Sequence, residues 1–185
     1  MEFDQVKFEQ VWKRVDKTPG SFTHMNARKY FEYAAQVPGD GVIVEVGVDQ
    51  GRSANVLLAV SEMTGVQVRL VDSWESILID NYQKVLDLVK TYPKAHAVVQ
   101  RLASKEAAKQ LRKAVDLVLI DANHYFEAPG IDCEAWLPKI KDGGIAMFHD
   151  YQATFPAVTL AVDKYTANWE DLGSWESLAI RRKPE

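Results

Sequence analysis

Four side chains placed just after two apolar runs carry most of the chemistry this chain offers. Asp121 opens D-A-N-H-Y-F directly after V-D-L-V-L-I, and His149 and Asp150 directly follow G-G-I-A-M-F. If the two runs are neighbouring strands, their tips bring Asp121, His149 and Asp150 together. An Asp, a His and an Asp converging in a cleft can hold a divalent cation. Oxygen ligands favour magnesium or calcium, and the histidine shifts the preference toward manganese, iron or zinc. The structural alternative is that Asp121 and Asp150 cap the helices that follow them, with His149 packed in a turn. His124 lies three residues after Asp121 in the same loop. With an ordinary pKa near 6.5, a histidine there can take a proton from an acceptor at neutral pH. His24 and His96 have no such setting. His24 reaches a site only if the segment from Thr18 to Met25 folds over it as a lid.

A second group of residues is suited to holding a ligand. From Val42 to Ala54 the chain reads V-I-V-E-V-G-V-D-Q-G-R-S-A. A short apolar run contains Glu45, a turn carries Gly47 and Gly51, and a helical pattern follows. Glycines in such a turn let the backbone bend tightly and approach a ligand closely. The spacing is G-x-x-x-G, not the G-x-G-x-x-G of dinucleotide enzymes, and the loop has no lysine for a phosphate-cradling role. A turn made for packing alone is the other reading. Asp72 ends V-R-L-V-D-S-W, and an acid at a strand tip can accept hydrogen bonds from both hydroxyls of a ribose. It could equally cap a helix or a solvated turn. Trp74 beside it could stack on a base or cover the sheet edge.

These groups need a scaffold that aligns them. Apolar periodicity predicts a helix through Phe8, Val11, Trp12 and Val15, broken at Thr18 to Ser21, and a second helix from Asn26 to Val37. Strands are predicted at Val42–Val46, Val66–Val71, Ala97–Val99, Val115–Ile120 and Gly144–Phe148. Helices fall between them, around Val56 to Val60, Tyr82 to Val89, Ser104 to Lys113, and up to Trp136 and Leu137. Pro156 opens a further helix. Two last strands fall near Trp169–Leu172 and Ser177–Arg182, joined at Gly173-Ser174. Strands alternating with helices predict an α/β fold, a Rossmann-like doubly wound sheet of about seven strands. It is mostly parallel, with an antiparallel C-terminal hairpin at its edge. In such sheets ligands bind outside the carboxyl ends of the strands. That rule selects Glu45 to Ser53, Asp72, Leu102 to Ser104, Asp121 to Tyr125 and His149 to Tyr151.

Composition narrows the classes. With 185 residues the chain suits a single compact domain. A formal net charge of −4 supplies no basic field for nucleic acid. No stretch approaches the eighteen or so apolar residues of a membrane span, and the first ten residues carry charges where a secretory leader needs an apolar run. One cysteine, Cys133, cannot form an internal disulfide framework and suits a reducing cytoplasm. The expectation is a cytoplasmic protein without nucleic-acid or membrane partners, and a homo-oligomer is possible.

Together these segments resemble the class I S-adenosylmethionine (SAM)-dependent methyltransferases. The resemblance is strongest to a small-molecule group that includes sugar O-methyltransferases of antibiotic pathways and proteins labelled cephalosporin hydroxylase. It runs from about Gly39 to Lys183. V-E-V-G-V-D-Q-G-R-S, V-D-S-W, I-D-A-N-H-Y-F-E-A, W-L-P-K-I-K-D-G-G-I-A-M-F-H-D-Y and S-L-A-I-R-R-K carry it. The resemblance implies that Glu45 and the Gly47 to Gly51 turn hold the methionine part of SAM. It implies that Ser53 binds the carboxylate end with help from the helix N-terminus, that Asp72 binds the ribose, and that Ala103-Ser104 borders the adenine. Asp121 would belong to both the cofactor site and a metal site with His149 and Asp150, where magnesium or manganese would sit. His124 would be the base. His149 stands where metal-dependent relatives carry an acid.

The expected function is methyl transfer to a small-molecule acceptor, at a hydroxyl oxygen. Residues 1–38 are expected to form a helical cap on a SAM-binding domain at 39–185. The rivals are a nicotinamide-dependent oxidoreductase on a similar sheet, against which the glycine spacing and the antiparallel ending argue, and a SAM-binding or interaction protein without turnover.

Overall fold

The computed structural model describes residues 4–75 and 81–185. Seven strands form one sheet: β1 (Val42–Val46), β2 (Gln67–Asp72), β3 (His96–Arg101), β4 (Val115–Ile120), β5 (Ile140–Phe148), β6 (Glu170–Trp175) and β7 (Leu178–Arg182). Their order is β3-β2-β1-β4-β5-β7-β6. The first five are parallel, and β7 runs antiparallel to both β5 and β6. The helices are α1 (Gln5–Val15), α2 (His24–Ala34), α3 (Ala54–Thr64), α4 (Asn81–Lys90), α5 (Ser104–Gln110), α6 (Ala128–Trp136) and α7 (Pro156–Tyr165).

The central strands are apolar throughout because both faces are covered. Successive side chains point to opposite faces, so each strand feeds two cores. Ile43, Leu117 and Leu119 pack with residues of α1, α2 and α3. Val44, Val118 and Ile120 pack with Ala107 of α5, Trp136 of α6 and Val162 of α7. Phe8, Val15, Tyr30 and Phe31 of the N-terminal helices belong to the first of these cores.

The edges of several elements differ from the sequence reading. Helix α2 begins at His24, not Asn26, because Thr23 and Asn26 cap each other: Asn26 N–H donates to Thr23 Oγ1 at 3.1 Å and Thr23 N–H to Asn26 Oδ1 at 3.3 Å. The β6–β7 hairpin turns at Glu176-Ser177, not at Gly173-Ser174. Gly173, at φ +111°, instead serves an irregularity inside β6, where the register with β7 shifts between Asp171 and Gly173. Strand β5 starts four residues early, at Ile140, because a second irregularity lets Ile140 pair with Val115.

What positions the site is the alignment of strand tips. Gly47 N–H donates to Val71 C=O at 2.9 Å, Asp121 N–H to Val46 C=O at 2.8 Å, and His149 N–H to Ile120 C=O at 3.1 Å. The residues that leave β2, β1, β4 and β5 therefore stand side by side, with β1 and β4 adjacent although β2 and β3 intervene in sequence. That is the switch point of the sheet.

Candidate active site

A cavity of about 540 Å³ opens at these tips. Its lining includes Gly47, Ser53, Asp72, Ser104, Asp121 and His124. Glu45 and Gly51 are not in the wall.

These residues and their neighbours are held differently. Gly47 has φ +88°, and a Cβ there would lie 2.0 Å from the carbonyl oxygen of Asp121. Its glycine is demanded by the backbone of the neighbouring loop, so the steric conflict of a larger residue falls on Asp121 before any ligand. At Gly51, with φ +86°, a Cβ would meet Leu88 of α4 at 2.7 Å, which is a packing requirement. The carboxylate of Asp72 faces the loop after β1. Its Oδ2 accepts the N–H groups of Val48 at 2.8 Å and Asp49 at 2.9 Å, and its Oδ1 accepts Trp74 N–H at 2.8 Å. A carboxylate has about four lone-pair positions, so roughly one is left for a ligand.

Glu45 lies beneath the loop and is fully buried. Ser53 Oγ donates to its Oε1 at 2.7 Å and the Tyr30 hydroxyl to its Oε2 at 3.3 Å. Burial raises the Glu45 pKa to about 8, against the pull of these two hydroxyls. Ser53 thus spends its hydroxyl on Glu45 and makes no side-chain cap on α3.

The ionisable cluster sits at the tips of β4 and β5. His124 Nε2 lies 2.8 Å from Asp150 Oδ2 and 3.3 Å from Asp121 Oδ1. His149 Nδ1 lies 3.2 Å from Asp121 Oδ1 and 3.3 Å from Asp150 Oδ2. Two carboxylates and two imidazoles therefore share one network. Hydrogen bonds to Asp121 and Asp150 raise His124 to about 9, against some desolvation. Burial opposes a charge on His149, yet the same two carboxylates outweigh it and lift that pKa to about 10. Burial works the other way on Asp150, but the two histidines hold its carboxyl well below the usual range. In this arrangement His124 is a cation at neutral pH, where an ordinary histidine would be mostly neutral.

Among the described residues, the donor atoms that could surround one metal ion belong to Asp121, His124 and Asp150, all within 4.8 Å of one another. His149, expected as a ligand, is nearly inaccessible. It lies under the cluster, with Ser177 Oγ 3.3 Å from Nε2 and the Phe22 ring centroid 5.2 Å away. The ring expected to act only as a base is the one that faces the cavity.

Several contributors had no clear signal in the sequence. Arg52, in the turn between Gly51 and Ser53, donates to the carbonyls of Phe22, at 2.7 Å, and Thr18 and pairs with Asp16 at 3.3 Å. It thereby fixes the Pro19 to Phe22 segment as one wall of the cavity. His24 is not in that wall; its ring packs against Phe8 and Trp12. Trp74 is buried in the core and is not in the cavity wall, with Nε1 donating to Asp49 C=O at 2.9 Å and its ring against Tyr82. Asp132 on α6 also reaches the cavity. An acid on the stripe that buries Cys133 and Trp136 was the clue to it.

A glycine turn after β1, an acid at the tip of β2, and Asp121 and His124 beyond β4 all line one cavity. A family model described as a methyltransferase domain matches residues 44–151, the span that contains all of these. The chain belongs to this methyltransferase family. Solved methyltransferases share its fold at low identity. The O-methyltransferase NovP superposes with a TM-score of 0.72 at 15% identity over 97% of each chain. CalS11, a TDP-rhamnose 3'-O-methyltransferase of calicheamicin biosynthesis, gives 0.68 at 14% identity over 96% of this chain and 93% of its own. The Podospora anserina methyltransferase PaMTH1, solved with S-adenosylhomocysteine, gives 0.70 at 15% identity over 97% of this chain and 88% of its own. Family and fold together make the protein a SAM-dependent methyltransferase. No helix among the described residues is long and apolar enough to cross a membrane.

Proposed function

We propose that this methyltransferase acts on a hydroxyl oxygen of a small-molecule acceptor, and that the acceptor lies against Asp121, His124 and Asp150. The observation that carries this reading is the gathering of those three donor atoms within 4.8 Å of one another, with Asp121 and His124 on the wall of the same cavity as Gly47 and Asp72. SAM brings a methyl group already activated on a sulfonium, so the protein must align an acceptor and manage its proton.

The residues fit the cofactor in chemistry. Asp72 keeps acceptor capacity for ribose hydroxyls while it grips the loop. Gly47 lets the β1 and β4 tips approach closely enough to form one continuous floor. Ser104 and Asp121 also line the cavity. Glu45 and Ser53 support the loop from below; Glu45 acts through Ser53 and not by its own contact with a ligand. Pro19 to Phe22 line one side of the cavity, which supports reading the N-terminal helices as a cap on it.

The donor set of two carboxylates and one imidazole also fits a divalent cation, with manganese, iron or zinc better matched than calcium. Asp121, His124 and Asp150 would hold it, and it would act as a Lewis acid toward an acceptor oxygen. The proton on His124 competes with a cation for the same nitrogen. With the proton present, the two carboxylates are neutralised by histidine; with it gone, His124 Nε2 is free either to ligate or to accept a proton. NovP and CalS11, whose names mark them as O-methyltransferases, support the choice of oxygen.

Calorimetry with SAM, S-adenosylhomocysteine and NAD tests the cofactor, and mass spectrometry of a panel of hydroxylated acceptors tests the transfer. Binding of NAD in place of SAM overturns the reading. SAM binding with methylation only at nitrogen or carbon overturns the acceptor.

A further inference from the structure

The fold brings a residue from the far end of the chain to the underside of the His–Asp cluster. Strand β7 runs antiparallel to β5, with Ala179 opposite Phe148. The turn that enters β7 therefore lies at the carboxyl end of β5, where His149 and Asp150 leave the sheet. Tyr151 N–H donates to Ser177 C=O at 3.0 Å and fixes Ser177 beside that tip. The Ser177 Oγ lies 3.3 Å from His149 Nε2.

Both nitrogens of the His149 ring are thus engaged. Nδ1 faces Asp121 Oδ1 at 3.2 Å and Asp150 Oδ2 at 3.3 Å. Ionised carboxylates only accept hydrogen bonds, so Nδ1 carries a hydrogen and donates toward them. A hydroxyl both donates and accepts, so Ser177 suits Nε2 with or without a hydrogen there. The ring is only 2% exposed. Without Ser177, Nε2 loses its one hydrogen-bond partner among the described residues, in a place that bulk water does not reach. Asp150 sits at φ +61°, a left-handed conformation, with His149 holding its carboxylate on one side and His124 on the other.

The turn is itself anchored from its far side. Glu176 has φ +53°, and its carboxylate accepts the Thr23 hydroxyl. Asn26 Nδ2 donates to Trp175 C=O at 3.0 Å. Thr23 and Asn26 are the residues that begin α2, directly after the Phe22 that lines the cavity. The start of α2 therefore places the turn, the turn places Ser177, and Ser177 meets the ring that touches both carboxylates.

We infer that Ser177 is a positioning residue for methyl transfer, holding the His149 ring so that Asp121 and Asp150 keep their places around His124. This rests on the reading above, in which the acceptor lies against Asp121, His124 and Asp150. Ser177 is not in the cavity wall and acts only through His149.

The test uses the full chain with a hydroxylated acceptor that the wild type methylates. Ser177→Ala is expected to lower kcat about 10-fold or more, the scale for groups that orient ligating side chains at one remove. Affinity for S-adenosylhomocysteine should stay nearly unchanged. Ser177→Thr keeps the hydroxyl and should restore most of the rate. A double-mutant cycle tests the route. His149→Asn keeps a donor toward the carboxylates and gives up the reach to Ser177, so adding Ser177→Ala to it should cost nothing further. Wild-type kcat in Ser177→Ala, no recovery in Ser177→Thr, or losses that add in the double variant each overturn the assignment. If Ser177→Ala does not fold, Ser177→Cys, which keeps the size and weakens the hydrogen bond, replaces it with the same expectations. Long-range proton–nitrogen spectra of the four histidine rings supply a readout that needs no acceptor. Ser177→Ala should shift the Nε2 signal of His124 as well as the signals of His149, because the two rings share Asp121 and Asp150. A change confined to His149 overturns the relay. A wild type that methylates no hydroxylated acceptor overturns the acceptor reading, and these spectra then still decide whether Ser177 sets the cluster.

Discussion

The carboxylate of Asp72 accepts the backbone N–H of Val48 at 2.8 Å, so the tip of β2 grips the loop that leaves β1. The same oxygen takes Asp49 N–H, and Asp49 sits at φ +47°, a left-handed conformation that an isolated aspartate adopts at some cost. The shape of the glycine turn thus depends on a residue more than twenty positions away.

Asp72→Ala should therefore weaken SAM by two routes. It removes a charged acceptor for ribose and releases the two loop N–H groups. The combined loss should be roughly 1–3 kcal/mol of binding. Hydrogen exchange at Val48 and Asp49 should quicken in the variant without ligand. Unchanged exchange together with unchanged SAM affinity would remove Asp72 from both roles.

Gly47→Val should fail in folding before it fails in binding. The added Cβ would fall on the carbonyl of Asp121, and valine is strained at φ +88°. The expected result is a thermal midpoint several degrees lower, or no soluble protein, and the same direction for Gly47→Ala. A Gly47→Ala variant with wild-type stability would contradict the close approach of the β1 and β4 tips.

How far the sequence disclosed this site depends on what each residue needed. Strands β1 and β4 were legible residue by residue because buried parallel strands must be apolar and β-branched on both faces. Asp72, Asp121 and Asp150 were legible as polar residues at the ends of such strands. The partners were not. Nothing local says that Ser53 turns toward Glu45 in place of capping its helix, or that Arg52 reaches back to the carbonyls of Phe22 and Thr18. Those contacts are long-range and follow from packing. That His124 and not His149 faces the cavity has the same origin, since the depth of a side chain below a loop is set by Phe22 and Ser177, far away in sequence. The hairpin turn was misplaced because a glycine marks a bulge as readily as a turn.

Glu45 gives a pH-dependent prediction. Its folded pKa of about 8 lies above its ordinary value of 4.5, so the native state holds a proton that the unfolded chain gives up in between. Stability should fall as pH rises through that window and level off above it. Glu45→Gln keeps the shape and cannot ionise. Its stability relative to wild type should improve as pH rises from about 5 to 9, as read by denaturant midpoints at each pH. A pH-independent difference would mean that Glu45 is ionised in the native state throughout.

The cluster at β4 and β5 gives the last prediction. If Asp121, His124 and Asp150 hold a cation, chelation should cut turnover and leave SAM binding nearly intact, because a cation repels the positively charged sulfonium and belongs beside the acceptor. His124→Ala should lower the rate by roughly 10²-fold or more, whether the imidazole is a base or a ligand. Titration with manganese separates the two roles. A ligand's loss weakens metal affinity, and excess manganese should restore part of the activity of His124→Ala. Loss of a base leaves metal affinity nearly unchanged, and excess metal restores nothing. His149→Ala provides the contrast. Its ring is buried against Phe22 and contacts Asp121 and Asp150 from beneath, so its loss should destabilise the fold and leave two carboxylates without one of their partners. Full activity of both His124→Ala and chelator-treated enzyme would sink this mechanism, and proximity and orientation of the acceptor would then account for the catalysis.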